Sequence, residues 1–248
     1  MDLTTPALAC TVLTHGETGA ILRALTPAHG LVAGYINGGR SRRLRPLLQP
    51  GNILQLHLHG RLDSQLARAT AELIEPRAAL ITSGFAFAVL EWSTALTAAA
   101  LPEAAPHPML YAALDALTAL LAADADAARI AATLARYELL LLAELGFAPD
   151  LSSCAATGAT TDLAYVSPKS SQAVSRAAGL PYAARLLPLP AFLIAEAPAQ
   201  LADARDALTL TRHFLARDIL TGAAARLFAA RDRLVTRLTA MDEPGPPG

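Results

Sequence analysis

The sequence predicts an α+β multidomain chain, with a small N-terminal β-barrel followed by an α-helical domain that carries an inserted hairpin region. Three observations predict it. Over the first 80 residues apolar side chains recur at every second position between turn-forming residues, whereas beyond Pro76 they recur at helical spacing. Over 151–192, Ser, Thr, Gly and Pro break the helical rhythm. The expected divisions are therefore 1–78, then 79–242 with its insertion at 151–192, then a Pro- and Gly-rich tail at 243–248 expected to be disordered.

Candidate strands cover 7–13, 20–25, 31–37, 52–59 and 68–74. They are separated by turn chemistry at His15-Gly16, Pro27 to Gly30, Gly38-Gly39 and Pro50-Gly51. The fourth is the clearest. Leu54, Leu56 and Leu58 share one face, and Gln55, His57, His59 and Arg61 share the other. Five short strands with a basic loop between the third and fourth fit an OB-fold barrel. Such barrels commonly bind single-stranded nucleic acid across one face and its loops.

The helical part opens with an almost wholly apolar stretch at 78–101. It is long enough to span a membrane, but Glu91 sits near its middle and Ala and Thr dominate it. A central charge costs about 2.5–3.5 kcal/mol on an insertion scale, and alanine offsets little of that. A helix buried in a bundle is the expectation, with no membrane partner. Leu110, Leu114, Leu117 and Leu121 form the buried stripe of a helix started by Pro106 and Pro108. A further helix over 130–145 is stopped by Gly146 and Pro149, and two more are expected over 200–220 and 223–238.

Hydrophobic residues make up 53% of the 248, enough for a core without disulfide or metal. Only Cys10 and Cys154 are cysteines, and no N-terminal signal pattern precedes them, which points to a reducing, cytoplasmic setting. Net charge is −1, yet it is unevenly spread. Residues 1–80 carry eight arginines against five acids, and the remainder twelve basic groups against sixteen acidic ones. Four of those arginines, Arg40, Arg42, Arg43 and Arg45, follow Gly38-Gly39 directly. A guanidinium matches phosphate oxygens in geometry and is charged at any working pH. The Gly-Gly turn and basic run read as a flexible, phosphate-seeking loop, or else as a solvated loop with no partner.

Other motifs carry less. His57 and His59 have the H-x-H spacing a metal can use, but no third ligand is near in sequence. Tyr165 and Lys169 have the spacing of a dehydrogenase pair, and Pro168 removes the helix such a pair needs. No nucleophile elbow, phosphate-binding P-loop or H-E-x-x-H occurs, so a non-enzyme without cofactor is expected. Cys154 begins a C-x2-C-like turn in which the second position is Thr157, and a second such turn falls at Ser175 to Ala178. Three of four ligands are absent, so this zinc-knuckle-like region should hold no metal.

Together the residues resemble the bacterial RecO family of recombination mediators over nearly the whole chain. The N-terminal likeness rests on Val12-Leu13, Gly16-Glu17-Thr18, Ile21-Leu22, Thr26, Gly30 and Gly38-Gly39-Arg40. The central one rests on Arg136-Tyr137-Glu138-Leu139, Leu141-Leu142 and Leu145-Gly146-Phe147. Segments 154–158, 165–170 and 187–193 resemble the region C-terminal to that helix in proteobacterial members. The resemblance implies binding and annealing of single-stranded DNA. It also implies cooperation with RecR in loading the RecA recombinase onto strands covered by single-strand-binding protein (SSB), at the nucleoid. It further implies that the helical domain receives the acidic, hydrophobic SSB tail. Arg136 matches a family position there, its alternative role being an ordinary helix-surface ion pair with Glu138 or a neighbour.

On this reading Arg40, Arg42, Arg43 and Arg45 contact the DNA backbone, with Arg23 and Arg61 assisting from the barrel. Tyr35 either stacks on a base or is a packed strand aromatic. Four phosphate contacts on a single strand imply a log–log salt slope of about −3. The chain departs from the family pattern twice. A four-cysteine zinc site found in some relatives is reduced to Cys154, and the usual basic stretch near the C-terminus is weak at 222–226. The competing function is an OB-fold adaptor for RNA or a protein partner.

Overall fold

The computed structural model describes residues 2–60 and 66–242, in two compact units, 1–125 and 126–248. The tail at 243–248 lies outside the described residues. In the first unit, β1 (Asp2–His15), β2 (Gly19–Thr26), β3 (Gly30–Ile36), β4 (Ile53–His59) and β5 (Ala67–Glu75) close a barrel in the order β1-β2-β3-β5-β4. One strand serves two neighbours. Residues 2–8 of β1 pair with β4 and residues 8–15 with β2, both antiparallel. The register shifts between Ala9 and Thr11, and a bulge at Cys10 supplies the bend this double duty needs. Closure comes from β3 and β5, which run parallel over only three residue pairs.

Inside the barrel the period-two positions meet: Ala7, Ala9, Leu22, Ala24, Leu54, Leu56, Leu58 and Ala69 form one core. Alternating alanine with leucine lets five strands close on a narrow interior, and each buried leucine contributes about 1.5–3 kcal/mol. Leu8, Cys10 and Leu25 have the opposite phase and are nevertheless buried, because α2 packs outside β1 and β2. Gly30, at the β2–β3 turn with φ +67°, lies so close to the next segment that a Cβ would come within 1.9 Å of the Ala105 carbonyl oxygen.

The apolar stretch expected as one helix is two, α1 (Arg77–Leu80) and α2 (Gly84–Ala100). Ser83 separates them by capping α2, its hydroxyl accepting from the Ala86 N–H at 3.4 Å. Trp92 is fully buried and Glu91 exposed, so the charge that argued against a membrane span faces outward. Thr94 and Thr97 are buried as well, each hydroxyl donating at 2.7 Å to the carbonyl four residues back. Among the described residues no helix is long and apolar enough to cross a membrane. The stripe Leu110, Leu114, Leu117 and Leu121 is buried along α3 (Pro108–Ala122). Arg77 ties the helices together, donating to Glu75 at 2.8 Å, Asp115 at 2.6 Å and Thr118 at 2.9 Å.

The second unit contains α4 (Ala127–Glu144), β6 (Leu163–Val166), β7 (Ala173–Ser175), α5 (Arg176–Gly179), β8 (Leu187–Pro188), α6 (Leu201–Phe214) and α7 (Phe228–Asp242). The inserted region is a small sheet of order β7-β6-β8. A π-helical turn at Leu215–Ile219 extends α6, and a 3-10 turn at Gly222–Leu227 delays the last helix by five residues from the expected 223. At its centre α4, α6 and α7 share one polar knot. Arg231 (1% exposed) donates to both oxygens of Glu138 (0% exposed), at 2.9 and 2.8 Å. The Thr211 hydroxyl also donates to Glu138, and Arg231 reaches the Leu208 carbonyl at 2.6 Å.

Candidate nucleic-acid interface

The arginine loop leaves β3 through a tight turn, with Gly38 at φ +65° and Ser41 N–H donating to the Gly38 carbonyl at 2.8 Å. It then winds in helical turns, Arg45 N–H donating to Ser41 O and Leu48 N–H to Leu44 O, each at 3.0 Å. These turns sort the side chains. Leu48 (1% exposed) joins the barrel core, with Leu44 and Leu47 packed against it, while Arg40, Arg42, Arg43 and Arg45 are exposed. The expected flexible loop is thus a pinned one. Leucines at 44, 47 and 48 have the i, i+3, i+4 spacing of a helical turn, which is the signal in the sequence for this arrangement.

Asn52 holds the other end. It is buried, and its side-chain amide donates to the Pro46 and Leu47 carbonyls at 3.1 and 3.0 Å while accepting from the Ala78 N–H at 3.0 Å. Sequence reasoning missed it because all three partners are backbone groups, which leave no trace in side-chain patterns.

The arginines divide by partner. Arg40 donates to the Glu17 carbonyl at 2.8 Å and the Gly16 carbonyl at 3.4 Å, and its own N–H donates to the Thr18 carbonyl at 3.1 Å. It therefore fixes the β1–β2 turn to the loop. The side chains of Arg42, Arg43 and Arg45 make no hydrogen bond or ion pair with another described residue, so three guanidinium groups face solvent on a fixed frame. No acidic residue lies between Glu17 and Asp63 to neutralise them locally.

Arg23, expected to assist from the barrel surface, is engaged within the unit. It donates to the Ala98 carbonyl at 2.5 Å and meets Glu103 at 3.3 Å. Ala98 is in the last turn of α2, where carbonyls have no helical partner and attract a cation. Arg61 lies outside the described residues. Tyr35 is half-buried on the outer face of β3, its ring edge-on to His15 with centroids 5.7 Å apart. Gly19 lies against that ring, and a Cβ there would come within 2.4 Å of Tyr35 Cε2. Arg68 is exposed and stands opposite Tyr35 in the β3–β5 register.

Elsewhere, His57 and His59 are bonded to Thr4 and Asp2, each at 3.0 Å. Among the described residues no three His, Cys, Asp or Glu side chains gather as a metal would need. Cys154 is buried in the inserted region. Hydrogen bonding to the Ser175 hydroxyl, then the Thr157 hydroxyl, then the Ser175 N–H (3.2 Å) lowers its thiol to about 6. Cys10, buried in the barrel wall, is pushed up to about 12 by desolvation. Arg136 is exposed on α4, its guanidinium 5.0 Å from the Phe192 ring centroid and donating to the Phe192 carbonyl at 3.1 Å. It makes no pair with Glu138, which faces Arg231.

Comparison with known proteins gives a consistent result. The family model described as recombination protein O N terminal matches residues 1–77, and that described as recombination protein O C terminal matches 82–223. A relative named DNA repair protein RecO, from Gluconacetobacter diazotrophicus, is 41% identical over 99% of this chain and 98% of its own length. Proteins of the same name from Methylobacterium nodulans and Phenylobacterium zucineum are 47% and 43% identical, over 81% and 96% of this chain and 83% and 98% of theirs.

Proposed function

Because the chain belongs to the RecO family, we propose that it acts in DNA repair as a recombination mediator, binding single-stranded DNA on the arginine loop and annealing complementary strands. The observation that carries this is the trio Arg42, Arg43 and Arg45, held without partners on a loop that Leu48, Arg40 and Asn52 fasten to the barrel. Annealing needs no bond chemistry. Guanidinium groups offset repulsion between two phosphate backbones, and base pairing supplies the driving force.

In the cell the chain works in the cytoplasm at the nucleoid. With RecR it helps load RecA onto strands covered by SSB. Arg136 is the proposed receiver of the SSB tail. An exposed cation lying over the buried Phe192 ring, at the edge of an apolar core, suits a peptide that is both acidic and apolar.

The test is annealing of two complementary labelled oligonucleotides. Arg42→Ala/Arg43→Ala/Arg45→Ala should slow it at least tenfold with the thermal transition unchanged, and annealing at the wild-type rate would refute the assignment. An RNA strand of equal length that competes better than DNA would favour the adaptor reading. Arg136→Ala should weaken binding of an SSB-tail peptide and leave annealing of naked strands intact.

A further inference from the structure

The barrel face beside the arginine loop has a feature that phosphate binding alone does not use. Tyr35 has an aromatic ring that is half-exposed and cannot settle inward, because Gly34 and Ile36 take the inward positions of β3. One side of the ring is occupied by the Gly19 backbone, where even a methyl group would collide at 2.4 Å, and the His15 ring stands at 77° to it with centroids 5.7 Å apart. The ring is thus positioned by two neighbours and still partly open to solvent. Arg40, which bonds to Gly16 and Glu17 in the turn between His15 and Gly19, joins this platform to the loop. On the other side, across the β3–β5 pair, is Arg68. Its guanidinium makes no hydrogen bond or ion pair with another described residue. Among the described residues the nearest carboxylate in register, Asp2, is bonded to His59 at 3.0 Å.

We infer that Tyr35 is a stacking platform for one unpaired base and that Arg68 holds the phosphate beyond it, so that this face distinguishes a single strand from a duplex. The inference rests on the proposed DNA-binding role of the loop. In a duplex the faces of the bases are covered by their neighbours, so the ring has nothing to stack on, whereas a single strand offers a π-face at every nucleotide. The arginines of the loop attract either form; the tyrosine accepts only one.

The experiment compares fluorescence anisotropy of labelled oligo-dT with that of an abasic oligonucleotide of the same length. Wild-type protein should favour oligo-dT by about tenfold, the range expected of one base–aromatic stack. Tyr35→Leu should bind both with the affinity of the abasic strand. Gly19→Ala provides a second variant that keeps every aromatic group and only displaces the ring, and it should lose most of the preference. Arg68→Ala should weaken both strands. Retention of the tenfold preference in Tyr35→Leu, or in Gly19→Ala should the first variant fail to fold, overturns the platform. The loop assignment fails separately, through unchanged salt-dependent binding when Arg42, Arg43 and Arg45 are replaced.

Discussion

The salt dependence of DNA binding follows from the division of the four loop arginines by their partners. Arg40 is engaged with the Gly16 and Glu17 carbonyls, which leaves Arg42, Arg43 and Arg45 for phosphates. Each phosphate contact on a single strand contributes about −0.7 to the slope of log K against log salt, so these three and the contact inferred for Arg68 give about −2.8. Between 50 and 200 mM salt, affinity should therefore fall about 50-fold. A slope of about −3.5, and a fall of about 130-fold, would follow if Arg40 joined them. Anisotropy of labelled oligo-dT across that range separates the two values. Replacing the three free arginines with alanine should bring the slope to about −0.7. Arg40→Ala should weaken binding at every salt concentration and keep the slope at about −2.8, because it loosens the frame and removes no phosphate contact. A triple variant whose slope stays near the wild-type value would refute the reasoning, as would an Arg40→Ala variant whose slope flattens by a full contact.

Further expectations concern the frame itself. Asn52→Ala leaves two carbonyls and one N–H of the loop anchor without their partner, at a cost of about 2–4 kcal/mol, and should weaken DNA binding as well; urea denaturation without a shift in midpoint would contradict it. Glu138→Leu deprives the buried Arg231 guanidinium of its carboxylate and should destabilise by about 3–5 kcal/mol, and adding Arg231→Met should recover most of the loss. A double variant no more stable than the single would show that the pair is not isolated from water. Cys154 adds a pH dependence. Its folded value of about 6 lies below the ordinary thiol value, so its contribution is complete above pH 9 and lost as pH falls through 6. The melting temperature of wild type should therefore gain on that of Cys154→Ala as pH rises from 6 to 9, and a constant gap would exclude the thiolate.

How far the sequence discloses this arrangement depends on the range of each interaction. The five strands were legible because Leu54, Leu56 and Leu58 alternate with polar neighbours and because Gly and Pro stand at the turns, all within a few residues. The arginine loop was legible as a concentration of charge. Its anchoring is encoded less visibly, in Leu44, Leu47 and Leu48, which stand at helical spacing among the arginines. Arg23 looked like a free cation because its partner, the Ala98 carbonyl, is 75 residues away. Glu138 invited pairing with Arg136, although residues two apart on a helix point to different faces. Its real partner, Arg231, lies 93 residues on and is brought to it only by the packing of α6 and α7. Helix boundaries at 81–83 and 222–227 shifted for a similar reason. Periodicity marks where a helix is buried, and a capping serine or a 3-10 turn decides where it begins.

The barrel closes along a very short zip. Four of its strand contacts are long antiparallel ladders, and the fifth joins Gly34, Tyr35 and Ile36 to Ala67, Arg68 and Ala69 and nothing more. Few hydrogen bonds need to break for the cylinder to open there, so amide exchange through local opening should be fastest along that line. Tyr35 and Arg68 sit on opposite sides of it. A strand of DNA that engages both would act as a stitch across the seam, and its binding would be repaid in stiffness of the wall. Part of the affinity for single strands would then be spent on keeping the barrel shut, and protection of those six residues would report occupancy without any label on the DNA.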